Sequence, residues 1–384
     1  MPSGSAVWTE RLEAAAAWRR TQGLWRERDT LQPGLVDFAG NDYLGLKDDP
    51  RLAEAQAAAA ERFGAGAGAS HLVSGHLEVH EALERRLAEL VGRPRALLFS
   101  TGYMANLGTL QALCDSDTLI FQDRLNHASL LDGAALAGAR SRRFHHRDLN
   151  DLERLLGRAP AEAAKLVVSD GVFSMDGDVA DVGGLAAVSA RHDAWLMIDD
   201  AHGIGVLGAQ GDGCVGHAHG VEHVPVLVGT LGKALGTGGA FVAGSDALIE
   251  HLIQFARAYV YTTAQPPGVA AASLAALDVL AAEPERRQQL RDNIHYFRRE
   301  AALLDLPLGD SFTPIQPLTL GEGRQVMHWA ARLREADLLV GAIRPPTVPN
   351  GEARLRITLR ASHSRESLDR LLEALARLHE EAAA

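Results

Sequence analysis

The sequence is poor in cysteine and contains no long apolar run. Its 384 residues include only 2 cysteines, too few for a disulfide framework, which favours a reducing compartment. No apolar stretch approaches the roughly 18 residues that a membrane span requires. The first residues precede an alanine- and arginine-rich stretch of helical character rather than an apolar signal core. These absences predict a soluble, cytoplasmic protein with no membrane span.

Basic residues are also scarce relative to acidic ones. The chain has 38 lysines and arginines against 49 aspartates and glutamates, which gives a net charge of -11 at pH 7. Sequence-independent binding of nucleic acid needs a basic face, so this balance argues against nucleic acid as a partner. Small anionic substrates remain open, because a single site can be locally basic. With 47% hydrophobic and 23% charged residues, the composition is that of a globular protein.

The middle of the chain alternates short apolar runs with helical or glycine-rich segments. This alternation predicts an α/β fold, with a mostly parallel sheet of about seven strands and helices on both faces. The expected strands lie at residues 95–100, 117–121, 142–145, 165–169, 195–199, 225–229 and 240–243. Upstream, the pattern predicts a helix over 8–28, weakened at Gly23, and two helices between 50 and 92.

The pattern changes after about residue 285. Helices over 286–304 and around 368–378 flank apolar runs at 315–320 and 354–359, and the last run alternates as a half-buried strand does. We therefore predict three parts. They are an N-terminal helix and connector over 1–48, a large cofactor-binding α/β domain over 49–285 and a small α+β domain over 286–384.

Two of the predicted strands deliver charged side chains at their ends. Lys233 closes a glycine-rich turn after one strand, and Asp199 ends another, with His202 shortly after it. Ligands of open α/β sheets bind at the carboxyl ends of the strands. A lysine there can carry an aldehyde cofactor, and a buried carboxylate can pair with a pyridinium nitrogen. The alternative for Asp199 is an ordinary capping or salt-bridged acid.

Three further segments follow predicted strands. Residues 100–106 begin a helix whose free N–H groups suit a phosphate, although an ordinary strand–helix turn is the favoured interpretation of this motif alone. His127 could stack on a heteroaromatic ring, or it could be a surface or capping histidine. Ser174 lies in a loop rich in glycine and aspartate and could bond a ligand oxygen, unless the loop is only a turn.

Other kinds of site fit less well. The turn ending in Lys233 is not a nucleotide-binding P-loop, because Ala234 follows where serine or threonine is required. The glycine-rich stretch at 64–70 follows no predicted strand, which argues against a dinucleotide fingerprint. One cluster could bind zinc, but a solvated loop is the better interpretation, and we predict no metal. That cluster comprises Cys214, His217, His219 and His223.

Together these segments resemble the α-oxoamine synthases, which are pyridoxal-phosphate (PLP) enzymes of the aspartate-aminotransferase fold type. The resemblance covers the chain from Asn41 onward. It rests on Asn-Asp-Tyr-Leu-Gly-Leu at 41–46, His-Ala-Ser at 127–129, Gly-Val-Phe-Ser-Met-Asp-Gly at 171–177, Asp-Asp-Ala-His-Gly at 199–203 and Gly-Thr-Leu-Gly-Lys at 229–233. It implies the type I fold of PLP-dependent transferases, PLP as the cofactor and a homodimer.

The resemblance also implies a role for each matching residue. Lys233 would carry the cofactor and move the substrate's α-proton, and Asp199 would pair with the pyridine nitrogen. His202 and Ser174 would bond the phenolic oxygen, and His127 would stack on the ring. The implied phosphate contacts are Gly102, Tyr103 and Thr230, with Thr262 or Thr263 reaching across a dimer interface. The implied substrate contacts are Asn41, Thr347, Arg344 for an amino-acid carboxylate and Arg26 for the acyl substrate.

Residues 342–349 bear on the choice of substrates. They read Ala-Ile-Arg-Pro-Pro-Thr-Val-Pro and look most like members that join L-alanine to a pimeloyl thioester in biotin biosynthesis. The alternative is a member that uses glycine or serine with another acyl-CoA. Two residues depart from the family pattern: His71 stands where many relatives carry arginine or glycine, and Asp170 where relatives often have glutamate.

The acyl donor could be attached to coenzyme A or to acyl carrier protein. A carrier protein is acidic, so it would need a basic patch near the entrance of the site. Such a patch could come from Arg140, Arg142, Arg143 and Arg147. A solvated charged face is the ordinary explanation of such a run.

Overall fold

A computed structural model describes residues 4–28 and 30–383, with side chains over 6–28 and 30–382. The chain divides into an N-terminal unit, Met1–Leu35, and a second unit, Val36–Ala384. The strands described are β1 (Val36–Phe38), β2 (Arg95–Phe99), β3 (Leu119–Asp123), β4 (Arg140–Phe144), β5 (Lys165–Asp170), β6 (Trp195–Asp199), β7 (Val226–Thr230), β8 (Ala240–Gly244), β9 (Ile315–Gly321), β10 (Leu338–Ile343) and β11 (Ala353–Thr358).

Helices account for most of the remaining regular structure. Those described are α1 (Gly4–Thr21), α2 (Pro50–Phe63), α3 (Glu78–Leu90), α4 (Gly102–Leu113), α5 (Ala128–Leu136), α6 (Leu149–Leu156), α7 (Val182–Arg191), α8 (Asp246–Phe255), α9 (Arg257–Val260), α10 (Pro267–Ala282), α11 (Glu285–Leu303), α12 (Gly323–Glu335) and α13 (Arg365–Ala383). A π-helical turn covers His71–Gly75, and a 3-10 turn covers Gly216–Ala218. In the residues described, no helix combines the length and the apolar character that crossing a membrane would need.

In the N-terminal unit, α1 ends at Thr21, so the prediction of a longer helix is wrong at its C-terminal end. Gly23 has φ +64, a conformation that glycine adopts without strain. Its amide donates to the carbonyl of Arg20 at 3.0 Å, and the amide of Leu24 donates to the carbonyl of Arg19 at 2.8 Å. This pair of bonds closes a helix C-terminus in the Schellman arrangement. Gly23 therefore ends the helix rather than weakening it.

The larger sheet of the second unit contains all the strands predicted for the middle of the chain. Its seven described strands lie in the spatial order β2-β8-β7-β6-β5-β3-β4. Strand β8 runs antiparallel to both of its neighbours, and the other adjacent pairs are parallel. The predicted α/β class with a mostly parallel sheet is thus confirmed.

Successive residues of these strands enter different cores, as the period of two in a strand requires. Met197 and Val228 belong to a core that α4, α5 and α8 cover, whereas Ile198 and Leu227 belong to a larger core on the opposite face. The larger core continues to the small sheet near the end of the chain. Helices therefore cover both faces of the large sheet, as predicted.

The small sheet has the order β1-β10-β11-β9 over the residues described. Its strands β9 and β11 match the runs predicted at 315–320 and 354–359, but the sequence pattern did not predict β1 or β10 as strands. Strand β1 has only three residues and pairs in parallel with β10, where Val36 faces Leu338. A strand this short gives little local signal, and its partner lies far along the chain.

Candidate active site

A cavity of ≈ 200 Å³ lies at the carboxyl ends of β5, β6 and β7. Residues that the sequence analysis proposed for the cofactor line it: Gly102, Tyr103, His127, Ser174, Asp199, His202, Thr230 and Lys233. The lining also includes residues to which the sequence analysis gave no role: Asn106, Ser129, Asp170 and Ala201. Residues from five separate segments thus converge at the edge of the sheet where ligands of α/β proteins bind.

A tight turn between β7 and β8 holds the backbone of Lys233. The amide of Leu231 donates to the carbonyl of Gly239 at 2.9 Å, and the carbonyl of Lys233 accepts from the amide of Gly236 at 2.9 Å. Gly236 has φ +68, and a Cβ there would lie 2.5 Å from the backbone nitrogen of Lys47. Only glycine fits both constraints, so the glycine-rich sequence of this turn positions the lysine.

The side chain of Lys233 begins a chain of three polar groups. Its Nζ lies 2.8 Å from Nε2 of His202. The other ring nitrogen of His202, Nδ1, lies 2.5 Å from the hydroxyl of Tyr43, which is 0% exposed. Tyr43 belongs to a motif that the sequence analysis recognised, but no role was assigned to it. The structure therefore adds Tyr43 to the groups that orient the histidine and the lysine.

Burial sets the protonation of this chain of groups. It lowers the pKa of Lys233 to about 8, although the carboxylates of Asp199 and Asp170 act in the opposite direction. Burial, together with the positive charges of Lys233 and Arg356, lowers the pKa of His202 well below its ordinary value. The imidazole is therefore neutral at neutral pH, and the lysine amine is partly uncharged.

Asp199 is held by a network that reaches the other side of the cavity. Its Oδ2 accepts from the side-chain amide of Asn106 at 2.6 Å, and its Oδ1 accepts from the backbone of Ala201 at 3.0 Å. The same amide nitrogen of Asn106 donates to the hydroxyl of Ser129 at 2.8 Å, which in turn lies 2.7 Å from Nδ1 of His127. The network fixes the carboxylate and the imidazole relative to each other.

A second carboxylate, Asp170, lies beside Asp199, because the two residues are partners in the register of β5 and β6. Burial and the charge of Asp199 raise the pKa of Asp170 well above its ordinary value. Its Oδ2 accepts from the amide of His127 at 2.8 Å. The protonated form of Asp170 is therefore favoured, and its carboxyl group also anchors the histidine.

Burial also acts on His127 itself. It lowers the pKa of the imidazole, with a further contribution from the charge of Lys233, whereas Asp199 acts in the opposite direction. The ring of Tyr103 meets His127 edge-on, with 6.5 Å between the ring centroids. A neutral aromatic ring therefore lines the cavity at this position.

Arg356, on β11, connects the loop of Ser174 to the start of the second unit. Its Nε donates to the carbonyl of Ser174 at 2.5 Å, and its Nη2 donates to the side-chain oxygen of Asn41 at 3.0 Å. The guanidinium is almost buried, with 6% of the residue exposed. The sequence analysis missed this residue. The sequence pattern did not point to it, because arginines that alternate with apolar residues in a predicted strand are expected on the solvent face, whereas every residue of β11 is buried.

The N-terminus of α4 and the end of β7 form another side of the cavity. Gly102 is the first residue of α4, whose N-cap Thr101 accepts from the amide of Met104 at 3.2 Å. The hydroxyl of Thr230 donates to the carbonyl of Gly239 at 3.0 Å. A helix N-terminus of this kind binds anions readily.

Several predicted residues do not line the cavity. Thr263 forms an isolated antiparallel bridge with Ser70. Thr347 and Arg344 lie in the turn after β10, where the amide of Thr347 donates to the carbonyl of Arg344 at 3.1 Å. The other such residues are Thr262, which precedes Thr263, Asn41, which bonds Arg356, and Arg26, an exposed residue of the N-terminal unit. The roles proposed for these residues remain predictions.

The alternative zinc cluster does not assemble in the described residues, where the groups with converging ligand atoms lie elsewhere. The thiol of Cys214 instead donates to Oδ1 of Asp200 at 3.1 Å, and its amide donates to the same carboxylate at 2.7 Å. One group with converging atoms contains His71, His76 and His80. Both ring nitrogens of His80 are already engaged, one by the amide of Leu77 at 3.0 Å and one by the carbonyl of Gln265 at 2.7 Å.

Comparison with known proteins identifies the family. The family model for class I and II aminotransferases matches residues 33–375. An 8-amino-7-oxononanoate synthase from Chromohalobacter salexigens is 71% identical over 386 residues, covering 100% of this chain and 100% of that protein. The chain belongs to the 8-amino-7-oxononanoate synthases. It is therefore an enzyme, a PLP-dependent acyltransferase, and the resemblance seen in the sequence is confirmed.

Solved structures agree on the fold. The 8-amino-7-oxononanoate synthase of Francisella tularensis has a TM-score of 0.81 and 30% identity, covering 92% of this chain and 100% of that one. A serine palmitoyltransferase from S. paucimobilis, solved with bound PLP, has a TM-score of 0.90 and 29% identity, covering 97% of each chain. The family thus has the type I fold of PLP-dependent enzymes, as the sequence predicted.

Proposed function

We propose that this chain condenses L-alanine with a pimeloyl thioester and releases 8-amino-7-oxononanoate, CO2 and the free thiol carrier in biotin biosynthesis. The observation that carries the proposal is the single cavity in which Lys233 and His202 lie together with Asp199 and His127. The 71% identity to a full-length synthase of that product supports the choice of reaction.

The residues around the cavity fit PLP. Asp199 is 7% exposed, and a cation such as a pyridinium nitrogen would stabilise a carboxylate in so buried a position. Oδ1 of Asn106 is buried and has no hydrogen-bond partner among the described residues, so the site also suits a polar ligand. Lys233 offers an amine to an aldehyde, and the N-terminus of α4 offers N–H groups to a phosphate.

PLP, when bound, supplies an aldehyde that takes up an amine and a ring that withdraws electrons from the α-carbon of an amino acid. Lys233 would hold that aldehyde through Nζ and, once released, accept the α-proton at the same atom. Its pKa, lowered by burial to about 8, keeps part of the amine uncharged near neutral pH, as a base requires. Asp199, fixed by Asn106, would keep the ring nitrogen protonated.

His202 orients the amine of Lys233. When Nζ donates to Nε2, the neutral ring carries its hydrogen on Nδ1 and donates it to Tyr43. In the other tautomer, Nε2 carries the hydrogen and donates it to an uncharged Nζ, while Nδ1 accepts from the hydroxyl of Tyr43. The ring can therefore bond the lysine in either of its protonation states without becoming charged. His127 would stack on the cofactor ring, and the hydroxyl of Ser174 would bond a ligand oxygen.

On the substrate side, we propose that Arg344 binds the alanine carboxylate, because a planar guanidinium makes two parallel bonds to a carboxylate. Asn41 and Thr347 would contact the substrate, and Arg26 would meet the acyl chain. We also propose a homodimer in which Thr262 or Thr263 of one subunit reaches the phosphate site of the other. The pairing of Thr263 with Ser70 gives this segment an ordered backbone.

The reaction balances at the α-carbon of alanine. The α-C–H bond would break first, with its proton passing to Lys233. A bond then forms between that carbon and the thioester carbonyl, and the C–S bond breaks so that the thiolate leaves and takes up a proton. The carboxylate then departs as CO2, and a proton returns to the α-carbon. The side chains described above bind, orient and move the protons.

We leave two donors open, coenzyme A and acyl carrier protein. Strand β4 lies at the edge of the large sheet, and residues 140–143 on it are exposed. Three of these four residues are arginines, so the edge could dock an acidic carrier protein. Charged edge strands also prevent pairing between sheets of different molecules, so the arginines have a sufficient explanation without a carrier.

The experiment is a product assay with the PLP-loaded protein. L-alanine and a pimeloyl thioester are incubated with the enzyme, with glycine and L-serine in parallel, and 8-amino-7-oxononanoate is sought by mass spectrometry. Serine is included because a serine palmitoyltransferase is a structural neighbour. Product from alanine alone supports the proposal. Turnover of glycine or serine with another acyl-CoA, and none of alanine, would keep the family's chemistry and overturn the substrate.

A further inference from the structure

His146 lies between two carboxylates outside the cavity. Its Nδ1 is 3.0 Å from Oδ1 of Asp123, and its Nε2 is 2.8 Å from Oδ2 of Asp178. His146 makes an edge-to-face contact with Phe173, with 4.4 Å between the ring centroids. The histidine side chain is 19% exposed, and that of Asp123 is 1% exposed. The imidazole is thus held on both nitrogens and on one edge.

The two carboxylates belong to different walls of the site. Asp123 ends β3 and begins the turn that leads to His127, and its Oδ1 also accepts from the amide of Leu125 at 2.8 Å. Asp178 closes the loop that carries Ser174, because its carbonyl accepts from the amide of Phe173 at 3.0 Å. His146 therefore connects the segment of one cavity residue to the loop of another.

The loop of Ser174 is anchored from two sides. On the side of the small sheet, Arg356 bonds the carbonyl of Ser174, and the hydroxyls of Ser311 and Thr313 each donate to the carbonyl of Gly177 at 2.9 Å. On the side of the large sheet, His146 holds the loop through Asp178. Removing the second anchor leaves the first in place, so the loop can shift without the chain unfolding.

A neutral imidazole has one N–H and cannot donate to two carboxylates at once. The charged groups that face His146 are Asp123 from β3, Asp178 from the Ser174 loop and the adjacent Arg147, whose guanidinium bonds Asp178 at 3.1 Å. Burial lowers the pKa of His146, but the bonds to the two carboxylates outweigh it and raise the pKa to about 9. Both ring nitrogens therefore carry hydrogens throughout the neutral range.

The backbone next to His146 supports this arrangement. Arg147 has φ +54, a left-handed conformation that is unfavourable for a residue with a side chain. Its amide donates to Oδ2 of Asp123 at 2.8 Å. The strained turn is thus fixed by the same carboxylate that binds the imidazole.

We propose that His146 is a positioning residue, whose imidazolium ties the loop of Ser174 to the turn of His127 and so fixes the distance between these two walls of the cavity. The proposal rests on the proposed function, because it matters for turnover only if Ser174 and His127 act there. It predicts that the connection persists below pH 6.5 and at neutral pH, and loosens as the pH rises through about 9, where the second hydrogen is lost.

The test compares His146→Gln, Asp178→Asn and a control, His145→Gln. His145 is the adjacent histidine, its side chain is 65% exposed, and it also pairs with a carboxylate, Asp151, at 2.9 Å. A first measurement uses the cofactor-free protein and does not depend on activity. Nuclear magnetic resonance of labelled histidines should give His146 a pKa near 9, and Asp178→Asn should lower that pKa by about one unit or more.

Hydrogen exchange of residues 171–178 gives a second measurement on the same cofactor-free protein. Exchange should accelerate in His146→Gln, whereas His145→Gln should match the parent chain. A pKa of His146 near its ordinary 6.5, or unchanged exchange in His146→Gln, would overturn the proposal whatever the reaction proves to be.

Turnover of the loaded enzyme is the third measurement. At neutral pH, kcat of His146→Gln should fall roughly ten- to a hundredfold, since small displacements of positioned groups cost this much. The alkaline loss of activity should move to lower pH in Asp178→Asn, which a merely structural role would not produce. Altered exchange with an unchanged pH profile would show a structural connection without a positioning role and would also reject the proposal. Absence of product in the parent chain as well would instead count against the proposed function.

Discussion

The hydroxyl of Tyr43 lies 2.5 Å from Nδ1 of His202, and the opposite nitrogen of the same ring lies 2.8 Å from Nζ of Lys233. The tyrosine is fully buried, and burial raises its pKa to about 12. It therefore stays a neutral phenol under all ordinary conditions. Its hydroxyl can donate to the imidazole or accept from it, so it supports either tautomer of the histidine.

Tyr43→Phe should lower kcat by about tenfold, because it removes one bond that orients the histidine and costs roughly 1.4 kcal/mol of transition-state stabilisation. The ring remains, so the free energy of unfolding should fall by no more than about 1–3 kcal/mol, the cost of leaving one buried nitrogen of His202 without a partner. Steady-state kinetics and a denaturant titration of the same sample test both parts. Phe38→Leu, a buried substitution in the same unit, gives a comparison in which stability falls and kcat is spared. Unchanged kcat in Tyr43→Phe would show that the hydroxyl does not orient the site.

Lys233→Ala should bind PLP and lose turnover by at least about a thousandfold, because the same nitrogen serves as the attachment point and as the base. The phosphate and ring contacts are left in place, so equilibrium dialysis should still detect bound PLP. Lys47→Ala, which changes a lysine outside the cavity lining, serves as the control. Activity near that of the parent chain would remove Lys233 from its proposed role.

The pKa of about 8 for Lys233 predicts a pH dependence of cofactor uptake. An amine attacks an aldehyde only when it is uncharged, and the lowered pKa means that this form increases as the pH rises through 8. In the cofactor-free protein, the rate of PLP attachment should therefore fall about tenfold for each pH unit below 8. Stopped-flow absorbance measures it, with Lys233→Ala as the blank. A midpoint near the ordinary 10.5 would contradict the assignment.

Charge reversal at Arg142 and Arg143 tests the acyl carrier protein. If the carrier docks on the edge strand β4, the double change to glutamate should raise KM for the carrier-bound donor about tenfold and leave the coenzyme A donor nearly unchanged. Arg377→Glu, an exposed arginine on α13, controls for overall charge. Equal effects on both donors, or no effect on either, would show that the arginines are a solvated edge and do not bind a carrier protein.

Much of the fold follows from local pattern. Most strands of the large sheet are short apolar runs that are buried on both faces, whereas β4 is an arginine-rich edge strand with exposed residues. The apolar runs are visible in the sequence without any knowledge of their neighbours. The signal for the end of α1, Gly23, is also local. It was missed because the end depends on two backbone hydrogen bonds, which an argument from helix propensity does not include. Strand β1 could not be predicted, because its signal is not local. Its three residues form a strand only because β10 lies beside them.

The residues of the candidate site can likewise be divided into those that the sequence predicts and those that it does not. Lys233, Asp199 and His202 were predictable because each follows a strand directly, and strand ends meet at one edge. Asn106 was not, because it lies on the second turn of α4 and reaches Asp199 only through the packing of that helix. Arg356 was not, because its partners Ser174 and Asn41 are fixed by how the small sheet is placed within the second unit.

The bond between Asn41 and Arg356 spans 315 residues. A ribosome that makes the chain from its amino end has released Lys233 and Asp199 long before β11 is synthesised. During that interval the loop of Ser174 lacks its arginine anchor and the cavity is incomplete. Capture of the cofactor is therefore expected only after nearly the whole chain has been released. A truncation before β11 would leave a protein that contains every residue lining the cavity but lacks the arginine that bonds the carbonyl of Ser174.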